Sequence, residues 1–263
     1  MAAFFYMEKR TEIGEIGEFG LIKHLAAQLT EKQEWTELGI GDDTAVLDPK
    51  GNKVVTTTEL LIEGVHFDLA YTPLQHLGFK AVSVVLSDIA AMNAIPTQIM
   101  VGLGLSNRFS VESVDALYEG IRLACEEYKV DLVGGDTTSS PQGLILSMTA
   151  TGVVETDKLV QRGTAKPNDV LCVSGDLGAA LMGLHSLERE KQVFLVNPNS
   201  QPDLDAYTYL IERQLKPEAR KDVRTLLHAL EIKPTSMIDI SDGLSSEIIH
   251  LCKQSKVGCN LYE

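Results

Sequence analysis

Residues 74–105 read LQHLGFKAVSVVLSDIAAMNAIPTQIMVGLGL. Over 74–92 the apolar side chains recur every three or four positions, as in a helix, and 98–105 is an apolar run with the length of a strand. A helix handing on to a strand predicts mixed α and β structure, and the same alternation continues in both directions. Downstream, 111–128 is an amphipathic helix, 130–133 a strand, and 144–154 alternates and then becomes continuously apolar, as a long strand does. Upstream, 16–29 has helical spacing, while 44–47 and 53–58 are short, rich in Val and Thr, and joined by a turn around 49–52.

Residues 156–168 carry Gly, Pro, Lys and Asp without periodicity, as a linker or an active-site loop does. The pattern then restarts. Strand 170–173 leads through 174–178 into an apolar helix, Pro217 stands where another helix opens, and strand 237–240 runs into helix 244–252. The stretch 197–203, with two prolines and two asparagines, is a surface loop. The expected fold class is α+β, or mixed α/β, in two domains, residues 1–155 and 156–263. A chain of 263 residues suits two cores, because domains usually hold about 100–150 residues.

With 44% hydrophobic and 23% charged residues the composition is that of an ordinary globular chain, and no stretch approaches the roughly 18 unbroken apolar residues of a membrane span. Residues 1–10 show neither a basic leader nor a small-residue cleavage site, so a cytoplasmic protein is expected. A formal net charge of −14 repels nucleic acid and anionic membranes, and neither is an expected partner. Cys125, Cys172, Cys252 and Cys259 form no Cys-x-x-Cys pair and read as reduced packing residues.

The acids stand where elements end or on apolar faces. Five segments carry them: Gly41 to Ala45 (Gly-Asp-Asp-Thr-Ala), Thr57-Thr58-Glu59 with Glu63 to Phe67, Ser87-Asp88, Gly134 to Thr138 (Gly-Gly-Asp-Thr-Thr), and Asp239 to Leu244 (Asp-Ile-Ser-Asp-Gly-Leu). Hydrated Mg²⁺ takes a few carboxylates plus phosphate oxygens, so acids gathered from several strand ends make a platform for metal-bound ATP. Each segment also has a plainer reading. Asp42 and Asp43 after a glycine are ordinary turn chemistry. Asp136 after two glycines is either a tight turn or a place where backbone, Gly135 included, approaches a ligand. Asp88, among Val84, Val85, Leu86 and Ile89, is costly without a partner unless it faces solvent. Helix capping accounts for Ser241 or Asp242 but not for Asp239, inside an apolar run where α/β sheets present ligand groups. His66, between Val65 and Phe67, reads as a core or rim histidine, and Arg162 as a phosphate grip or a solvated cation. Neither Gly-x-x-x-x-Gly-Lys-Ser/Thr nor Gly-x-Gly-x-x-Gly after a strand occurs, so another phosphate scaffold is required.

In this order, over about residues 15–244, these segments, with Thr-Thr-Glu-Leu-Leu-Ile-Glu-Gly-Val-His-Phe and Ser-Asp-Ile-Ala-Ala-Met-Asn-Ala-Ile-Pro written out in full, resemble the thiamine-monophosphate kinase family. That family sits in the aminoimidazole-ribonucleotide-synthetase-like superfamily. The resemblance implies a homodimer whose N-terminal sheets pair into a β-barrel, with ATP and several Mg²⁺ ions in a cleft covered by a C-terminal α/β sandwich-like domain. By position it implies metal contacts at Asp43, Thr57, Thr58, Glu59, Asp88, Asp136, Asp239 and Asp242. It implies nucleotide contacts at Tyr118, Gly135, Arg162 and Ser241, and a thiamine monophosphate contact at His66.

The sequence departs from the family pattern in two places. Glu59 stands where the family usually has Asp, and the Gly-Gly-Glu-Asp segment that usually follows further on is not found. With 257–262 reading as one strand of an unfinished sheet, the expectation is a truncated second domain. The implied reaction is in-line transfer of the ATP γ-phosphoryl group to thiamine monophosphate, with no protein nucleophile and with metals neutralising charge. The alternatives are another ATP-dependent member of the superfamily, such as a selenophosphate synthetase, and a non-catalytic nucleotide- or metal-binding protein. The selenophosphate enzymes carry a reactive Cys or selenocysteine near the N-terminus, whereas the first cysteine here is Cys125.

Overall fold

The computed structural model describes residues 11–30, 33–38, 46–199, 201–202 and 204–262. In chain order the elements are α1 (Ile13–Ala26), β1 (Thr36–Leu38), β2 (Val46–Leu47), β3 (Lys53–Ile62), α2 (Leu74–Ala91), β4 (Ile95–Leu105), α3 (Val111–Tyr128), β5 (Asp131–Ser139) and β6 (Ile145–Val154). They continue as α4 (Ala179–Val196), a 3-10 turn (Asp205–Tyr207), α5 (Thr208–Leu215), α6 (Lys221–Ala229) and α7 (Leu244–Ser255).

Four strands form one sheet in the order β3-β6-β4-β5, with β6 antiparallel to both neighbours and β4 parallel to β5. The parallel step requires a crossover, and α3 supplies it. Strand alternation sorts the side chains cleanly. Leu61, Ile99, Val101, Leu103, Leu146 and Met148 are buried on one face. On the other, Val54, Leu60 and Met100 remain exposed. Helix α2 covers the buried face with Leu77, Val82, Val85, Leu86 and Ile89, which recur at helical spacing. Helix α3 starts at Ser110, whose hydroxyl accepts the Ser113 N–H at 3.3 Å, and ends at Lys129 in the left-handed region.

Helices α2 and α3 touch backbone to backbone. A Cβ on Gly120 would stand 1.8 Å from the Gln75 carbonyl oxygen, and one on Gly78 would stand 2.0 Å from that of Leu117. Glycine is required at both positions by the approach itself.

The first half matches the sequence expectation in element order apart from β1, which is not among the expected elements, and α1, which lies three residues earlier than 16–29. The strands are also longer, since β3 runs on to Ile62, β4 begins at Ile95 and β5 reaches Ser139. Gly134, Gly135 and Asp136 therefore lie within a strand, and the tight-turn reading of them is corrected. In the second half the helical patterns fold as helices, but 170–173, 237–240 and 257–262 form no strand. A strand exists only with a ladder partner, and these segments find none among the described residues. Val170 is accordingly 84% exposed. Pro217 opens no helix. It lies in the 216–220 connection ahead of α6, where the Ala219 N–H donates to the Tyr128 hydroxyl at 2.8 Å. Cys125 is buried and Cys252 half-buried, but Cys172 and Cys259 are exposed and do not pack. Among the described residues no helix is long and apolar enough to cross a membrane.

Gly120→Ala should force the two helices apart and lower stability by about 1–3 kcal/mol. Urea unfolding would show this as a lower midpoint at an unchanged slope. An unaltered midpoint would mean that the helix contact is looser than described.

Candidate active site

The acids converge where β3 meets α2. Thr57 and Glu59, two residues apart on β3, share the face turned towards α2. The Thr57 hydroxyl donates to Asp88 Oδ2 at 2.7 Å, so Asp88 is half-buried and partnered rather than exposed on the outer side of its helix. The neighbouring Ser87 hydroxyl donates to Asp239 Oδ2 at 2.8 Å, which draws the 237–240 segment against α2. Thr57, Asp88, Asp239 and Arg162 line a cleft of about 380 Å³ floored by Val55 and Ile89. One residue along β3, the Thr58 hydroxyl turns to the opposite face and donates to the Met148 carbonyl at 3.2 Å.

These carboxylates repel one another. Burial, then the fields of Asp88, Asp239 and Asp242, and finally a hydrogen bond shared with Asp88 hold the Glu59 carboxyl above the usual carboxylate range. Asp239 is also raised, first by burial and further by Asp88 and Glu247, against the opposing bond from Ser87. All the donors are oxygens, a set suited to a hard cation such as Mg²⁺. Among the described residues no three His, Cys, Asp or Glu side chains make a ready cage. Mg²⁺ needs none, because it keeps several waters and takes further oxygens from phosphates.

The other expected residues are placed differently. Arg162 is exposed at the cleft, and its carbonyl accepts the hydroxyls of Ser236 at 2.6 Å and Ser255 at 3.3 Å. Ser241 and Asp242 are exposed just before α7, where the Asp242 N–H donates to Glu247 Oε1 at 3.1 Å. Tyr118 sits on α3, away from the residues lining the cleft, with burial pushing its phenol up to about 12. Asp136 is on β5, the sheet edge opposite β3, beside Gly102 in the row of the open face. Gly135 is required by β4, since a Cβ there would lie 2.1 Å from the Val101 carbonyl oxygen. His66 is exposed in the loop after β3. Asp42 and Asp43 lie outside the described residues.

Sequence reasoning gave no role to Ser87 or Glu247. Glu247 is 5% exposed in the first turn of α7 and holds the Asp242 backbone. An acid in a first turn, five residues after the backbone it holds, is a local signal that the sequence carries.

Residues 41–154 match AIR synthase related protein, N-terminal domain, and this sets the class of the first half of the chain. Thiamine-monophosphate kinase of Bacillus subtilis (strain 168) is 35% identical over 248 residues, covering 94% of this chain and 73% of the relative. The crystal structure of thiamine-monophosphate kinase from Stenotrophomonas maltophilia K279a superimposes with a TM-score of 0.73 at 33% identity, covering 89% of this chain and 70% of that one. A structure of AaThiL complexed with AMPPCP and TMP gives a TM-score of 0.69 at 33% identity, covering 96% and 73%. This chain belongs to the thiamine-monophosphate kinase family.

The raised carboxyls set a pH dependence. A carboxyl whose native pKa is raised binds its proton more tightly folded than unfolded. The stability these two groups contribute is therefore fully present below the ordinary carboxylate range and is lost as pH rises through the raised values. In chelator the thermal midpoint should decline towards neutrality, and Glu59→Gln should be more stable than the wild type there. A lower neutral-pH midpoint for Glu59→Gln would overturn this reading of the charge cluster.

Proposed function

We propose that this chain transfers the γ-phosphoryl group of ATP to the phosphate of thiamine monophosphate, giving thiamine diphosphate and ADP. The observation that carries the reading is the meeting of Thr57, Asp88 and Asp239 at one cleft, with Glu59 near enough to feel the Asp88 and Asp239 charges, in a chain of this family. The AaThiL complex with AMPPCP and TMP is consistent with it. An assay of ADP release comparing thiamine monophosphate, selenide and aminoimidazole precursors tests it, with turnover expected on the first alone.

The acceptor is a phosphate monoester whose second pKa is about 6, so it is already largely anionic and needs no strong base. The protein's work is positioning and charge neutralisation, as is usual in phosphoryl transfer. Asp43, Asp88, Asp136, Asp239, Asp242 and Glu59, with the oxygens of Thr57 and Thr58, would hold several Mg²⁺ ions. Bound there, the ions would neutralise the two phosphate chains. Arg162, Ser241, Tyr118 and Gly135 would contact the nucleotide, and His66 the acceptor. In this reading residues 1–155 form the nucleotide and pairing domain and 156–263 the domain over the cleft, in a cytoplasmic enzyme.

We further propose a homodimer whose sheets pair into a barrel. Two observations support it: one sheet face carries exposed Val54, Leu60 and Met100, and both edge strands lack a neighbour among the described residues. Across three strand spacings, about 14 Å, Asp136 cannot join the Asp88 cluster within one sheet. A second chain closing the barrel would bring Asp136 of the partner subunit to it.

Complementation between inactive variants decides the last point. Asp88→Asn and Asp136→Asn homodimers should each lose about 100-fold or more in kcat. In the mixed dimer one site combines intact Asp88 with intact Asp136. Random mixing of the two variants should thus restore about a quarter of wild-type activity if the dimer is two-fold symmetric. No recovery in verified mixed dimers would place Asp136 in its own chain's site.

A further inference from the structure

The loop between β3 and α2 is fastened by an ion pair that the reaction described above does not use. The Glu63 Oε2 accepts from the Arg108 guanidinium and, at 2.9 Å, from the Leu144 N–H. The Glu63 N–H donates in turn to the Leu144 carbonyl at 3.0 Å. One carboxylate thus ties together the loop after β3, the segment between β4 and α3, and the turn before β6. The Glu63 side chain is only 19% exposed, and Arg108 lies over the Phe109 ring at 5.0 Å. Gly143, with φ +69°, leaves the space: a Cβ there would stand 2.7 Å from Glu63 Oε2.

The same loop carries His66, whose ring is bonded to the backbone at Ile62. Phe67, next along, is buried in the core, and the Gly64 N–H donates to its carbonyl at 2.8 Å. The Ile62 carbonyl accepts the Val65 N–H at 3.1 Å and the His66 N–H at 2.9 Å. The Ile62 N–H donates to His66 Nδ1 at 3.0 Å. With Nδ1 occupied as an acceptor, the ring proton of neutral His66 resides on Nε2. That nitrogen is the one left to face an exposed ligand, and as a donor it suits a phosphate oxygen.

We infer that Glu63 and Arg108 are positioning residues that hold the loop, and with it the His66 ring and tautomer, so that Nε2–H donates to the phosphate acceptor. The inference rests on the reading of His66 as the acceptor contact. A purely structural ion pair would explain the bonds to Arg108 and Leu144 equally well but would leave acceptor binding untouched.

Steady-state kinetics with ¹⁵N NMR of the histidine rings separates these cases. Arg108→Met should raise KM for thiamine monophosphate about 10-fold while KM for ATP moves less than about 2-fold, because a displaced donor weakens one substrate only. Arg108→Lys, which keeps the charge, should recover most of that loss. In a His66→Ala background Arg108→Met should add less than about 2-fold, as coupled residues are non-additive. The His66 ring should be protonated at Nε2 in the wild type and become a mixture of tautomers in Arg108→Met.

Should Arg108→Met prove unfolded, Glu63→Gln carries the same expectations, and either variant alone decides the outcome. An unchanged acceptor KM in Arg108→Met beside a raised one in His66→Ala overturns the positioning role and spares the reading of His66. An equal rise in both KM values, with the tautomer unaltered, also overturns it. An unchanged acceptor KM in His66→Ala removes His66 from the acceptor site, and this inference falls with it.

Discussion

Leu77, Val82, Val85, Leu86 and Ile89 of α2 are almost entirely withdrawn from solvent against the sheet, and each contributes on the order of 1.5–3 kcal/mol by leaving water. Their spacing also fixes the rotation of the helix about its axis. Ser87 and Asp88 then have one place to go, the flank where β3 passes. From there Asp88 meets Thr57, and Ser87 holds Asp239. The backbone approach at Gly78 and Gly120 locks α3 against the other side of α2, so the helix cannot roll to relieve the acids it carries.

The arrangement is costly by itself. Two like charges about 4 Å apart oppose each other by about 4 kcal/mol at an effective dielectric of 20. Among the described residues Arg162 is the lining cation that answers this, and both Asp239 in the cleft and Glu59 beside it bind their protons more tightly than an ordinary carboxylate. Protons and divalent cations compete for the same oxygens. A site that raises carboxyl pKa values through crowding is therefore one that gains by exchanging protons for metal when phosphates arrive. The apolar packing of α2 supplies the stability that this crowding removes.

Much of this was legible in the chain. Helix 111–128 is read to the residue, because its apolar stripe is regular and the strand pattern begins directly after it. Asp88 was legible as an anomaly on an apolar helix, though only the structure shows that it faces Thr57. Strand 131–139 reads as shorter in the sequence because Gly-Gly-Asp-Thr-Thr has turn composition, whereas parallel pairing with β4 overrides local preference. The segments 170–173 and 237–240 fail for the complementary reason: their composition suits a strand, but a strand depends on a partner that composition does not reveal. The Glu63–Arg108 pair is a contact between distant segments, and no periodicity encodes it, whereas Glu247 acts locally, on the backbone five residues before it.

The sheet's two edges, which have no strand neighbour among the described residues, and its open apolar face bear on assembly and chemistry together. An unpaired edge invites association with any passing strand, and a closed barrel removes edges altogether. In the proposed dimer the same closure would cover Val54, Leu60 and Met100 and would carry Asp136 of the partner subunit to carboxylates that its own sheet keeps it from reaching. Assembly and metal binding would then be linked thermodynamically. Cations bridging acids from two chains favour the dimer, and dissociation would leave each cluster short of a ligand. On that view catalysis would require the paired state, and a monomer would be inactive without any separate inhibitory element.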